Sequence, residues 1–194
     1  MSLINHITRG WAARRIAKRL ASDESGSILT ELALSLPIYI GLLTGVVEVG
    51  NYLLLNLKVQ HTVVTIADLV TRDEAISEEV ITDIFQVIPH IMAPYTTGAD
   101  TVTIITSISQ TEDEQATIFW QRSGGGTLNE GSEFGLEGEL ANLTNTITMR
   151  DNETVLATEV YYRYEPLIFS FLPSQTIRRV SYFRPRIGSL QEIS

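Results

Sequence analysis

Two carboxylates bracket the most apolar stretch of this chain, Glu31 at its mouth and Glu48 seventeen residues further on. A carboxylate at the centre of a membrane helix costs about 2.5–3.5 kcal/mol on insertion scales. Each therefore needs a partner or a place at an interface. The chemistry open to them is charge pairing, with no bond to make or break. Glu31 closes the hexapeptide Gly26-Ser27-Ile28-Leu29-Thr30-Glu31, and the run from Leu32 to Val47 carries no charge. Glu48 lies roughly 25 Å along a helix from Glu31 at 1.5 Å per residue. There a long acidic side chain can snorkel to water. It either ends the apolar span or pairs with another helix in an assembly.

Other chemistry-bearing residues do not assemble. His6, His61 and His90 are scattered, none with a His-x-x-x-His or Glu-x-x-His neighbour, so no metal site is expected. There is no Gly-x-Ser-x-Gly elbow for a nucleophile. Glu112-Asp113-Glu114 reads as a solvated turn. Glu130, Glu133, Glu137 and Glu139 do not have the spacing of a calcium-binding loop. Gly124-Gly125-Gly126 opens a polar loop reaching about Gly138, without the Lys-Ser/Thr pair of a phosphate-binding loop, and reads as a flexible connection. Cysteine is absent, which excludes disulfides and thiolate chemistry. Neither an enzyme nor a cofactor is expected.

The elements that position Glu31 and Glu48 follow from charge and hydropathy. The net charge of −9 is uneven: residues 1–26 carry +3, with Arg9, Arg14, Arg15, Lys18 and Arg19, and the remainder carries −12. Basic residues ahead of an apolar run mark the cytoplasmic side, and the lack of a basic stripe argues against nucleic acid as a partner. From Leu32 to Leu55 the only charge is Glu48. This is longer than the apolar region of a secretory signal, and no small-residue cleavage site follows it. A transmembrane segment over about 32–55 is expected, after a basic leader at 1–26. Within it, Gly41 and Gly45 form a Gly-x-x-x-Gly pair suited to close helix packing. Apolar residues at helical spacing continue to Val70, predicting one helix over 27–72.

Residues 73–194 read as an extracytoplasmic head. Ser77 is a good helix N-cap, with Glu78 and Glu79 behind it and Ile76 and Ile81 placed for a hydrophobic staple. Strands are predicted over Thr101–Ser109, Gln115–Arg122, Thr154–Tyr164 and Gln175–Arg184, and a short helix over Leu136–Leu143. Leu156, Val160, Tyr162 and Tyr164 alternate with polar neighbours, which predicts a sheet buried on one face. The fold class is thus α+β: a long N-terminal transmembrane helix running into a small head, with an antiparallel sheet of about four strands and one packed helix.

Gly26-Ser-Ile-Leu-Thr-Glu-Leu-Ala-Leu-Ser-Leu-Pro37, Gly45-Val-Val-Glu-Val-Gly50, Glu159-Val-Tyr-Tyr-Arg-Tyr-Glu-Pro166 and Ser181-Tyr-Phe-Arg-Pro-Arg-Ile-Gly188 together resemble the TadE/TadG-like proteins of tight-adherence (Flp, type IV-like) pilus systems. The resemblance implies a minor pseudopilin or membrane-anchored assembly component in the inner membrane, with its head in the periplasm. It implies a prepilin-type cleavage site at Gly26 and Ser27 and an assembly role for Glu31, beside the assembly role that its position leaves open to Glu48. Its implied partners are the lipid bilayer, other pilus-assembly subunits and a prepilin peptidase. Leu32 stands where processed members often carry Tyr or Phe, leaving an uncleaved signal anchor as the alternative. The competing function is a single-pass membrane-anchored binding or sensor protein with no pilus role.

Overall fold

A computed structural model describes residues 18–19, 25–72, 76–111, 115–143, 147–168, 172–185, 190 and 193. Most of the expected leader and the Glu112–Glu114 turn lie outside the described residues. Helix α1 spans Ser25–Val70, 46 residues, with Pro37 inside it. Among the described residues it is the one helix long and apolar enough to cross a membrane. Three hydroxyl side chains in its apolar part bond back to the helix. Thr30 donates to the Gly26 carbonyl at 2.7 Å, Ser35 to Leu32 at 3.2 Å and Thr44 to Ile40 at 2.7 Å. That back-bonding lets polar side chains sit on an apolar helix without an orphaned donor.

The chain divides into two compact units within this helix, Met1–Val47 and Glu48–Ser194. The second unit thus holds the last 23 residues of α1, Glu48–Val70, together with the sheet. In the first unit large apolar side chains are exposed from Ile28 through Val47. In the second, Leu55, Val59, Val63, Ile66 and Val70 are buried at intervals of three and four, the period of one helical face. The C-terminal part of α1 is therefore a core element of the head.

Helix α2, Glu78–Met92, starts where Ser77 accepts a hydrogen bond from the Val80 amide at 3.4 Å, with Glu78 and Glu79 in its first turn. Its Ile81, Ile84, Ile88 and Met92 are buried. Four strands follow: β1 Thr101–Gln110, β2 Thr117–Gly124, β3 Glu153–Tyr164 and β4 Gln175–Phe183. They form one antiparallel sheet in the order β2-β1-β3-β4. Ile105, Leu156, Val160, Tyr162, Tyr164 and Ile177 meet the buried stripes of α1 and α2 in one core. Lys58 and Arg179 fasten it at its edges: Lys58 donates to the Ile91 carbonyl at 3.2 Å, and Arg179 to the Asn56 side chain at 2.7 Å.

The sheet departs from the one-faced expectation. Residues of β1 and β3 are buried on both faces almost throughout. A second core of Ile108, Ile118, Phe134, Met149, Val155 and Ala157 lies on the face away from the helices. Its cover comes from residues between β2 and β3: Phe134 from the Gly124–Gly138 stretch read as a flexible connection, and Leu143, Ile147 and Met149 from beyond it. Leu136–Leu143 is not helical either. Its backbone runs along the edge of β2: the Ile118 amide donates to Glu139, Gly138 to Ile118 and Ala141 to Ala116, at 2.8–2.9 Å. Those sheet-edge partners stand in place of the intrahelical ones of the expected short helix.

The entry to this cover is tight. A Cβ on Gly126 would stand 2.0 Å from the Thr101 carbonyl oxygen, and one on Gly125, at φ +73°, would meet Ile88 at 2.3 Å. Gly126→Ala is expected to destabilise the head by about 1–3 kcal/mol through overpacking against backbone. Gly131→Ala, with open space around it, should show no clash; comparative thermal unfolding in detergent checks the pair. A fragment starting at Glu48 should unfold cooperatively. One starting at Asp73 lacks five core side chains from α1 and should give no cooperative transition.

Candidate functional site

The sequence-predicted site residues separate into two groups. Gly26, Ser27 and Glu31 lie exposed in the opening turns of α1. A Cβ added at Gly26, Gly41 or Gly45 would meet nothing within 4 Å. Gly41 and Gly45 are one turn apart, so they share a helix face that a second helix could approach. Glu48 is different: it is fully buried at 0% exposure.

Its carboxylate is held within its own compact unit. The Tyr164 hydroxyl donates to Oε1. The Leu167 amide donates to both oxygens, at 2.9 and 3.1 Å, and the Ile168 amide to Oε2 at 3.0 Å. A buried carboxylate survives only where such donors replace its water. The Tyr52 ring stands edge-on to Tyr164, 5.1 Å between centroids and 71° between planes, closing one side with apolar surface. Burial, and then the adjoining carboxylate, push the Tyr164 phenol well above its ordinary value. The hydroxyl thus remains a donor throughout the physiological range. The sequence had Glu48 ending a span or facing another helix; the fold supplies it with partners 116–120 positions away. Nothing local to Glu48 announces them, although Tyr164 closing an apolar strand ahead of Glu165-Pro166 is a weak signal.

A second buried carboxylate went unnoticed in the sequence. Glu159 on β3 is 0% exposed. It accepts from Ser132 Oγ, from the Glu133 amide at 3.3 Å and the Tyr161 hydroxyl at 3.0 Å, and from Arg178 Nη2 at 2.7 Å. Arg178 also pairs with Glu133 at 3.0 Å and lies over the Phe134 ring, 5.8 Å from its centroid. Burial, with the carboxylate beside it, raises the Tyr161 phenol. This network pins the cover to the second face of the sheet.

The other acidic residues weighed as weak cation ligands are engaged with protein. Glu137 pairs with Arg122 at 3.0 Å, Glu139 accepts from the Leu136 amide at 2.9 Å and Glu130 from Thr176 at 3.3 Å. Among the described residues no group of three His, Asp or Glu side chains is gathered to hold a metal ion. What the geometry around Glu48 can do is positional: it ties one turn of a long apolar helix to the loop leaving β3.

A family model described as TadE-like protein matches residues 26–68, the family that the sequence resembles. The match starts at Gly26 and covers Glu31, the glycine pair, Glu48 and most of the buried α1 stripe. No curated protein and no solved structure matches the chain.

Removing the Glu48 carboxylate would leave the buried Tyr164 hydroxyl and two part-buried backbone amides without their acceptor. The hydroxyl carries a full penalty of about 1–3 kcal/mol and the amides less, because water can reach them, so Glu48→Ala should destabilise the head by roughly 2–5 kcal/mol. Glu48→Gln keeps one acceptor oxygen and should lose less. Tyr164→Phe removes one donor and should cost about 1–2 kcal/mol. Thermal unfolding of the full chain in detergent gives the ranking; an unchanged midpoint for Glu48→Ala contradicts it.

Proposed function

We propose that this chain is a membrane-anchored component of a tight-adherence, type IV-like pilus, acting as a minor pseudopilin. The observation that carries the reading is the TadE-like match over residues 26–68, which begins at the glycine of the proposed cleavage site. The leader up to Gly26 lies in the cytoplasm, α1 crosses the inner membrane and the acidic head stands in the periplasm, as the basic residues before the apolar run favour. A prepilin peptidase cuts between Gly26 and Ser27.

In this reading Glu31 acts in assembly. The freed Ser27 amine lies about one helical turn from Glu31, within reach of its own carboxylate or a neighbour's. Such a pair offsets part of the cost of holding both charges at the membrane boundary. The open faces around Gly41 and Gly45 accept the helix of another pilus subunit. Glu48 contributes by holding the head to its own helix, leaving Glu31 as the carboxylate offered to a partner.

Glu31→Gln should leave the protein membrane-bound with an unchanged head, while pilus assembly or adherence falls. Gly26→Ala should abolish the shift to a shorter form, read by N-terminal sequencing of protein recovered from membranes. Alkaline phosphatase fused after Arg72 should be active. Normal pili in Glu31→Gln cells, with a protein that is never shortened, would overturn the pseudopilin reading and leave a plain signal anchor.

A further inference from the structure

Leu167 and Ile168 are exposed, 66% and 47%, although their backbone amides are bound to the buried Glu48 carboxylate. They open the stretch Pro166–Pro173, in which Ser170 is the single polar residue. Water-facing apolar side chains are ordinary when isolated. Here their backbone is fixed to the first helical turn after the uncharged run, so their height is set by Glu48.

The length of that run gives them a role. Leu32–Val47 is 16 residues, about 24 Å of helix, against a hydrocarbon thickness of about 30 Å. Several ångströms of apolar slab remain to be filled at one end. Glu31 is an exposed charge and resists entering the slab. At the other end the Glu48 charge is sealed by donors inside the protein, and the α1 residues exposed just beyond it are Val49, Leu53 and Leu54. This end can sink into hydrocarbon with its buried carboxylate already supplied with donors, and the exposed Glu165, two residues before Leu167, is long enough to reach up to the headgroup level. Leu167 and Ile168 would then enter at the same level.

We propose that Leu167 and Ile168 insert into the outer leaflet of the bilayer beside the Glu48 turn of α1, giving the head a second apolar membrane contact latched to the helix by the Glu48 carboxylate. The contact is apolar in kind, since residues 27–194 carry a net charge of −12 and offer anionic lipid headgroups no general attraction. The inference rests on the reading that α1 spans a membrane, and the experiment below separates the two.

The chain has no cysteine, so a nitroxide can be placed singly at Leu167→Cys, Ile168→Cys, Leu43→Cys in the apolar run and Glu79→Cys on α2. The full-length protein is reconstituted in vesicles of phosphatidylethanolamine and phosphatidylglycerol. Collision rates with oxygen, which concentrates in lipid, and with a water-soluble nickel chelate are then measured. The expected result is an oxygen-to-nickel ratio at positions 167 and 168 several-fold above that at 79 and close to that at 43. A water-like ratio at 167 and 168, with a lipid-like ratio at 43, overturns the insertion and leaves the spanning helix standing. Low collision rates with both reagents at 167 and 168 overturn it in favour of a protein partner over the loop. A water-like ratio at 43 removes the spanning reading and the insertion with it.

Discussion

A single helix that passes from apolar surroundings into a protein core must change its solvent without leaving a charge stranded. In this chain that change falls at Glu48. Before it, α1 exposes apolar side chains on all sides; after it, one stripe is buried every third or fourth residue. Between these regimes stands a carboxylate with no access to water. Desolvating it is tolerable because the Tyr164 hydroxyl and the Leu167 and Ile168 amides take the place of water. The strand that carries Tyr164 and the loop behind it are thereby fixed to one helical turn. A salt bridge would have needed a buried cation with a desolvation cost of its own. Neutral donors from backbone and phenol avoid it.

The same device appears on the far side of the sheet. Glu159 is buried in a central strand and draws Arg178, Ser132 and the Glu133 amide onto itself. It organises a cover that has no regular secondary structure. Together the two carboxylates explain how the central strands of the sheet are buried on both faces. The helices close one face by hydrophobic packing, and a polar network fastens the irregular segment that closes the other. Gly125 and Gly126 admit that segment where any side chain would strike Ile88 or the Thr101 carbonyl.

The helical residues after Glu48 belong to the same compact unit as the sheet. They contribute Leu55, Val59, Val63, Ile66 and Val70 to the largest core cluster. Anchor and head thus share a helix, and the head's stability depends on residues within the TadE-like segment.

Much of this was legible in the chain itself, because it depends on neighbours in sequence. The three- and four-residue apolar period gave α1 and α2, the Ser77 cap gave the start of α2, and β-branched runs gave four strands to within two or three residues. The uncharged run and the basic residues before it identified the anchor. Periodicity says that a face is buried but not what buries it. It could not show that the second sheet face was covered, since the covering residues have no period. Leu136–Leu143 has helix-like spacing yet takes its hydrogen bonds from the edge of β2, a partner no local pattern encodes. Most of all, the state of Glu48 was undecidable from its surroundings. Whether a carboxylate is a free end, an intersubunit partner or a buried latch depends on which donors reach it, and these came from residues more than a hundred positions away, brought there only by the fold.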